Sequence, residues 1–258
     1  MSDFHMVVCV KAVPGSTEVK MDPKTNTIVR DGKQAVINPF DASALECALA
    51  LKDDFIGFGM DVRVTVVSMG IPATESLLRD CIARGADDAL LLTDRAFAGA
   101  DTLATSYALA TAIKKIGDYD VIIGGRQAID GDTAQVGPQV AEKLGLTQVT
   151  YAEEILNVDK AAKKITVKRH IDGGVETVEA PLPIVITVNG SAAPCRPRNA
   201  KLVQKYKRAL GAQEKAAITK EGAELAYAGL YEKYPYLNIT ESVSYTHLRA
   251  HETSQDLV

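Results

Sequence analysis

Apolar runs and helical patterns alternate along the first half of the chain. Four runs rich in β-branched residues are typical of buried strands, and they cover residues 6–10, 62–70, 88–93 and 120–125. Apolar residues also recur at helical spacing over residues 41–53, 73–84, 102–116 and 134–144. Buried strands that alternate with helices predict an α/β fold, with a parallel sheet and helices packed on both of its faces.

The pattern changes near Gln148, where two strands of alternating polarity flank a turn signal. The segments KITVKRHID and VETVEAPLPIVITV lie on either side of an Asp-Gly-Gly turn at 172–174, which predicts a β-hairpin over residues 165–188. This hairpin either extends the parallel sheet or forms a small flap. We therefore assign residues 1–190 to one α/β domain that includes the hairpin.

Composition narrows the class of protein further. With 258 residues and 47% hydrophobic content, the chain can bury a sizeable core. A net charge of −4 argues against binding to nucleic acid, and no apolar run approaches the length needed for membrane insertion. The start of the chain shows no signal-peptide pattern. Four cysteines without a CxxC pair predict reduced thiols in a cytoplasmic protein, and no metal site.

Three of the predicted helices begin with a residue that suits the N-cap position. These residues are Asn38, followed by Pro39 and Asp41; Asp101, with Thr102 and Thr105 on the first turns; and Asp132, towards which Gln135 can reach back. In α/β sheets, ligands bind beyond the carboxyl ends of the strands, which is where these helix starts are expected. Each of them alone is explained by helix capping.

Together, the helix starts also suit a phosphate-bearing ligand. A helix start offers free N–H groups and a partial positive charge, both of which favour a phosphate. Gly124 and Gly125 would allow the backbone to approach a ligand closely, and Lys11 and Arg126 could supply positive charge, although each alone suits a solvated basic residue. Because neither a Walker A loop nor GxGxxG is present, the residues alone indicate only a nucleotide-binding α/β domain.

Several of these segments resemble a known family. The segments VCVKAVP, INPFDASALECAL, VTVVSMG, GADTLATS, GRQAIDGDTAQVGPQ and VKRHIDGGVETVEAPLPIVITV are similar to the β subunit of electron transfer flavoproteins, and the resemblance covers about residues 6–240. It implies a Rossmann-like domain, of a fold related to the universal stress proteins, that pairs with an α subunit carrying its own FAD. In that family the β subunit holds either AMP or a second FAD.

The resemblance also implies which residues contact the nucleotide. The positions that match the family's contacts are Cys9, Lys11, Asn38, Met69, Gly70, Gly125, Asp130, Asp132, Thr133, Ala134, Gln135 and Val136. The helix starts and strand ends add Asp101, Thr102, Thr105 and Arg126. No side-chain nucleophile or acid–base pair is apparent, and His170 is expected to face solvent on the hairpin. The chain is thus predicted to be an electron-transfer subunit without catalytic side chains of its own.

The segment AFAGADTLATSYALA looks like the electron-bifurcating branch of the family. The expected cofactor is therefore FAD, with AMP as the alternative. The resemblance then implies NADH as the electron donor. One electron would pass to the α-subunit flavin and an acyl-CoA dehydrogenase-like partner, and the other to ferredoxin or flavodoxin. An alternative of another class is a nucleotide-sensing module like the universal stress proteins, which usually lack the hairpin and the basic segment after it.

The C-terminal part divides into two further regions. Residues 191–241 correspond to the family's partner-docking loop and a truncated C-terminal arm, and PCRPRNAKLVQKYKRA looks most like β subunits that work with acyl-CoA reductases. Residues 242–258 include SYTHLRAHETSQDLV, which resembles the translation of sequencing-adapter read-through. This tail is therefore expected to be non-native; the alternative is a short, divergent natural tail.

Overall fold

The computed structural model describes residues 2–15, 35–206 and 239–242. The strands are β1 (Phe4–Cys9), β2 (Ala12–Pro14), β3 (Ala35–Ile37), β4 (Val62–Met69), β5 (Asp88–Leu92), β6 (Val121–Gly125), β7 (Thr147–Asp159), β8 (Lys164–Ile171), β9 (Gly174–Pro181), β10 (Ile184–Val188) and β11 (Ile239–Ser242). The helices are α1 (Pro39–Gly57), α2 (Glu75–Arg84), α3 (Thr102–Ile116), α4 (Val136–Leu144) and α5 (Ala200–Tyr206), with 3₁₀ turns at Pro72–Thr74 and Arg95–Phe97.

One large sheet organises the described residues, and most of it is parallel. Its strand order is β11-β5-β4-β1-β6-β10-β7-β8-β9, with parallel pairing from β11 through β7. After β1 the chain builds β4 and β5 on one side, and it later adds β6 on the other side. This reversal beside β1 creates a crevice at the carboxyl ends of the strands, where α/β sheets bind ligands.

The alternating side chains of the central strands build two apolar layers. On β1, Met6 and Val8 join the core beneath α1 and α2, whereas Val7 joins the core beneath α3 and α4. All three side chains are fully buried, because both faces of the parallel sheet are covered by helices. The structure thus confirms the predicted Rossmann-like α/β fold.

The predicted helices and parallel strands are all present, with differences at their ends. The third helix occupies residues 102–116 as predicted, because Asp101 caps its start and Gly117, with φ of +66°, ends it. The first helix is longer than predicted at both ends, since Pro39 starts it and apolar residues continue to Gly57. The fourth helix begins at Val136, two residues later than predicted, because Ala134 adopts a left-handed conformation.

The hairpin extends the sheet but is shorter than predicted. β8 and β9 pair antiparallel up to the pair of Lys164 with Pro181. Residues 184–188, predicted as the end of the hairpin, instead form β10 between β6 and β7 in the sheet. The long strand β7 was not predicted: its first part pairs parallel with β10 and its later part pairs antiparallel with β8. β7 thereby joins the hairpin to the parallel sheet.

Much of the predicted C-terminal region lies outside the described residues. Within the predicted docking loop, α5 is a short helix, and Ile239–Ser242 adds β11 parallel to β5 at the edge of the sheet. Apart from Ser242, the suspected non-native tail lies outside the described residues. No helix in the described ranges is long and apolar enough to cross a membrane.

Candidate functional site

A cleft of about 1230 Å³ opens at the carboxyl ends of the central strands. Its walls come from the segments that follow β1, β4, β5 and β6 and from the starts of α3 and α4. The apolar floor is formed by side chains of the sheet and of the two helices, namely Leu109, Ile122, Val140 and Val185. The cleft therefore lies at the crevice that the strand order creates.

The structure brings nearly all of the predicted site residues to this one cleft. The residues that line it are Cys9, Lys11, Met69, Gly70, Asp101, Thr102, Thr105, Gly125, Arg126, Asp132, Thr133, Ala134, Gln135 and Val136. Asn38 and Asp130 are not part of the lining. Asp130 stays beside the cleft, because its carboxylate pairs with the Lys11 ammonium at 2.6 Å. The starts of α3 and α4 therefore converge on a shared hollow, whereas Asn38 at the start of α1 does not line it.

Asn38 supports the wall of the cleft instead of capping its helix. It occupies the N-cap position of α1, but its side chain makes no capping hydrogen bond. The fully buried side chain instead donates to the Gln127 carbonyl at 2.8 Å and accepts from the Ile129 N–H at 3.2 Å. The prediction of a side-chain cap was wrong, because the loop after β6 supplies partners that better satisfy this buried amide.

The predicted capping box at Asp132 and Gln135 is also wrong. The Asp132 carboxylate accepts a hydrogen bond from the Gln127 side-chain amide, and the side-chain Oε1 of Gln135 accepts from the Thr102 hydroxyl at 2.9 Å. Asp132 and Ala134 both have a φ of +53°, so the chain enters α4 through left-handed residues rather than a regular cap. The hydrogen bond between Thr102 and Gln135 joins the starts of α3 and α4 along the cleft.

The left-handed residues give the segment before α4 the backbone pattern of an anion-binding nest. Asp132 and Ala134 have positive φ, whereas Gln135 is right-handed with φ of −100°. In the described part of the chain, the backbone N–H groups of Thr133, Ala134 and Gln135 are not donated to any acceptor. Alternating right- and left-handed residues turn successive N–H groups towards one side, where they can bind a phosphate oxygen.

Asp101 is the one predicted cap that the structure confirms. Its Oδ1 accepts from the Ala104 N–H at 2.8 Å.

We expect Asp101→Ala to lower the free energy of unfolding by about 1 kcal/mol, since an orphan N–H of α3 loses its acceptor. Asp101→Asn keeps a side-chain oxygen and should stay close to the wild type. Asp132→Gly should lose less stability, because the hydrogen bond that it removes is exposed and glycine adopts the left-handed conformation without strain.

Chemical denaturation of the three variants, followed by circular dichroism, measures these differences. Equal losses for Asp101→Ala and Asp132→Gly would contradict the assignment of a single capping role.

Asp41 has a role at the site that the sequence analysis missed. Its buried carboxylate accepts from the Lys11 N–H at 2.8 Å and from the Gly125 N–H at 2.9 Å, and so ties α1 to the ends of β1 and β6. Burial raises the pKa of Asp41 to about 7, while the hydrogen bonds from Lys11, Asn38 and Gly125 oppose that shift. A helix-start acid was visible in the sequence, but its two partners come from other strands.

The remaining groups at the cleft suit binding more than acid–base or nucleophilic chemistry. Burial, with a further effect from Asp41, raises the pKa of the Cys9 thiol to about 12, so Cys9 stays protonated and unreactive. His170 does not line the cleft. It is exposed on β8, as predicted, and its Nδ1 lies 3.5 Å from Glu153 Oε1. No cluster of three metal-ligating side chains occurs within the described ranges.

Further lining residues were not predicted from the sequence. They include Ile71, Pro72, Thr93, Asp94, Arg95, Phe97, Ala98, Gln127, Ala128, Gly131, Gly137 and Thr187. Some of them follow β4 and β5, so the rule that ligands bind beyond strand ends could have pointed to them. Gly137 could not have been chosen from the sequence, because its importance comes from Thr187: a Cβ at Gly137 would collide with the Thr187 methyl group.

Comparison with known proteins gives a consistent family for this chain. Residues 25–225 match the electron transfer flavoprotein domain. Protein FixA from Azorhizobium caulinodans is 52% identical over 189 residues, which cover 72% of this chain and 66% of FixA. The caffeyl-CoA reductase-Etf complex subunit CarD from Acetobacterium woodii is 50% identical over 184 residues, which cover 71% of this chain and 68% of CarD.

A longer match extends across most of the chain. The electron transfer flavoprotein subunit beta of Megasphaera elsdenii is 43% identical over 233 residues, covering 88% of this chain and 84% of that protein. The matches to FixA proteins, by contrast, span slightly less than two thirds of their length. These matches favour a β subunit over the alternative of a universal-stress-like module. The chain belongs to the electron transfer flavoprotein family and is of the β-subunit type.

Proposed function

We propose that this chain is the β subunit of a heterodimeric electron transfer flavoprotein and that its cleft holds FAD. In the proposed complex, electrons from NADH are divided between an acyl-CoA dehydrogenase-like partner, reached through the α-subunit flavin, and ferredoxin or flavodoxin. The observation that carries the proposal is the nest at residues 132–135, which lies in the same cleft as the starts of α3 and α4.

The nest and α4 together suit the diphosphate of a dinucleotide. The undonated N–H groups of Thr133, Ala134 and Gln135 lie immediately before the first turn of α4, where the helix dipole adds partial positive charge. The nearby ammonium of Lys11 is already paired with Asp130, so backbone groups and Arg126 are left as phosphate partners in this wall. A ligand with two phosphates can use both the nest and the helix start.

The size of the cleft favours FAD over AMP. Ligand pockets in proteins usually have volumes of roughly 300–1000 Å³. The cleft here exceeds that range at about 1230 Å³, and it continues along the segment Ala98–Asp101 to the start of α3. A mononucleotide bound at the nest would leave much of this space unused, whereas a dinucleotide has a second half to place there.

The names of two relatives support electron transfer, and one of the two names supports an acyl-CoA partner. CarD is named as a subunit of a caffeyl-CoA reductase-Etf complex, and the Megasphaera elsdenii protein is named as an electron transfer flavoprotein subunit beta. Both relatives are at least 43% identical to this chain. We therefore propose an acyl-CoA dehydrogenase- or reductase-like protein as the electron acceptor of the complex.

The residues of this chain would bind and orient the cofactor. Bound FAD would supply the hydride- and electron-accepting chemistry. The backbone of residues 133–135 would hold its phosphates, and the apolar floor at Leu109, Ile122 and Val140 would exclude water beneath it. The protonated Cys9 thiol on the β1 side can pack against the ligand without reacting with it.

The cofactor content of the assembled complex tests this function. The chain is to be co-expressed with an α subunit of the family, and the flavin and adenylate released on denaturation are to be counted. We expect two FAD per heterodimer and ferredoxin reduction that depends on NADH and an acyl-CoA acceptor. One FAD and one AMP per heterodimer, without ferredoxin reduction, would replace the proposal by an AMP-holding electron carrier.

A pair of substitutions at Ala134 tests the nest directly. A β-branched side chain is strongly disfavoured at a φ of +53°. Ala134→Val should therefore change the backbone so that the N–H groups of the nest no longer point towards one side. We expect it to weaken FAD binding by at least about tenfold, the loss of one charge-assisted hydrogen bond. Ala134→Gly, which keeps the left-handed conformation, is the matched control and should bind FAD as the wild type does.

Fluorescence titration of the flavin-free complex with FAD measures both affinities. Equal FAD affinity of the valine and glycine variants would remove the nest from the binding site.

A further inference from the structure

Two aromatic rings contact the guanidinium of Arg126 beside the cleft. Its Cζ lies 5.2 Å from the ring centre of Phe40 at the start of α1 and 5.2 Å from the ring centre of Tyr151 on β7. The Nε atom of Arg126 is buried and has no hydrogen-bond partner in the part of the chain that the structure describes. Cation–π contacts with the two rings therefore help to hold this charged side chain in place.

Tyr151 reaches this position through a strained backbone. Its φ is +58°, a left-handed conformation that is uncommon for an aromatic residue. The pairing between β7 and β10 shifts at this point: Ile186 pairs with Val149, but Val188 pairs with Ala152. The bulge adds a residue on β7 and places the Tyr151 ring over Arg126. Bulges and left-handed residues that persist in a fold often serve to aim a side chain.

The two ring contacts bear on how Arg126 can bind a ligand. Contacts with two rings leave the N–H groups at the edge of the guanidinium for hydrogen bonds, and that edge matches the geometry of an oxyanion. Among the described residues, Arg126 is paired with no carboxylate, whereas Lys11 in the same wall is neutralised by Asp130. Arg126 itself lines the cleft. Its charge is therefore available to an anionic group that enters the cleft.

We propose that Tyr151 and Phe40 are positioning residues that hold the Arg126 guanidinium with its N–H edge free for a phosphate of the bound nucleotide. This inference rests on the proposed function, because it requires a nucleotide in the cleft. It adds a role for β7, the strand that joins the hairpin to the parallel sheet. The contact with Arg126 is made by the ring of Tyr151, so the ring is expected to carry the effect.

Calorimetric titration of the nucleotide-free, full-length chain with ADP and with adenosine tests the proposal. We expect Tyr151→Gly to weaken ADP binding by about tenfold and to leave adenosine binding unchanged. Tyr151→Phe keeps the ring and should bind ADP as the wild type does. Because glycine adopts the left-handed conformation without strain, Tyr151→Gly is not expected to disturb the backbone. The thermal unfolding midpoint of this variant checks that the fold is intact.

A double-mutant comparison separates positioning from a direct or merely structural role. If Tyr151 acts through Arg126, Tyr151→Gly will have no further effect on ADP binding in an Arg126→Met background. An equal loss in both backgrounds, or unchanged ADP affinity in Tyr151→Gly, would overturn the inference while leaving the proposed function in place. A wild-type chain that binds neither ADP nor adenosine would overturn both. Arg126→Met is also to be tested for binding to the α subunit. If this variant loses α-subunit binding but keeps its ADP affinity, Arg126 pairs with a protein carboxylate instead, and the inference is overturned.

Discussion

Gly125→Ala is expected to lower the free energy of unfolding by about 3 kcal/mol, because the new methyl group would overlap the start of α1. A Cβ at this position would lie 2.6 Å from the Phe40 Cβ and 2.7 Å from the Asp41 backbone nitrogen, and it would also collide with Asp41 Oδ1. Two of these atoms cannot move without shifting the helix. A loss of this size corresponds to a decrease of roughly 6–12 °C in the unfolding midpoint.

Gly124→Ala is the matched control for this prediction. A Cβ at Gly124 would meet the Cys9 Cβ at 3.7 Å, an ordinary van der Waals contact. We therefore expect its free energy of unfolding to stay within about 1 kcal/mol of the wild type. Urea denaturation of both variants measures the difference. Similar stability of the two variants would show that α1 can shift and that Gly125 is not required for its close approach to β6.

The sequence was sufficient to predict the elements whose limits are set locally. The third helix is an example, since Asp101 starts it, apolar residues repeat at helical spacing along it, and Gly117 ends it. The central strands are equally clear, because burial on both faces leaves continuous apolar runs such as Val121–Gly125. In these segments local propensity and tertiary packing agree, so the pattern alone identifies the element.

The strand β7 could not be identified in the same way. Exposed and buried residues are mixed along its 13 residues, because one part pairs with β10 and the other with β8. The segment 184–188 has a clear strand pattern, but its partner is decided by long-range pairing with β6. A sequence pattern can identify a strand, but it does not show which other strand lies beside it. This explains why the hairpin was predicted to continue into β10.

The candidate site, like the fold, could be predicted from the sequence only in part. Its location followed from the rule about strand ends, and resemblance to a family supplied Cys9 and Met69, which no local pattern marks. The local rule for helix caps failed at Asn38 and Asp132, because both side chains have partners on the loop that follows β6. Capping rules consider only the residues of the helix itself, whereas a buried polar side chain bonds to whichever element the fold brings near.

Asp41→Ala is expected to cause the largest loss of stability, about 4 kcal/mol. The substitution leaves the N–H groups of Lys11 and Gly125 without an acceptor in a buried place, and each orphaned donor costs about 1–3 kcal/mol. Asp41→Asn keeps one oxygen and should cost about 2 kcal/mol, since its amide group faces one of the two donors. Both variants lose part of the link that holds α1 to the ends of β1 and β6.

The pH dependence of the same pair tests the state of the buried carboxyl group. Burial raises the pKa of Asp41 from 3.8 to about 7, so between these values the folded chain retains a proton that the unfolded chain releases. This contribution to stability is present below about pH 4 and is lost as the pH rises to about 7. We therefore expect the advantage of the wild type over Asp41→Asn, measured by urea denaturation at intervals across this range, to shrink as the pH increases.

A second buried titratable group, His5, also affects how stability changes with pH but does not confuse the comparison. Burial, with a further effect from Arg63, lowers the pKa of His5, whose ring lies 2.8 Å from the Thr65 hydroxyl. Its contribution makes both chains more stable as the pH rises, and it cancels when one chain is compared with the other. An advantage of the wild type that grows with pH would mean that Asp41 is ionised in the fold. The two N–H donors would then outweigh its burial.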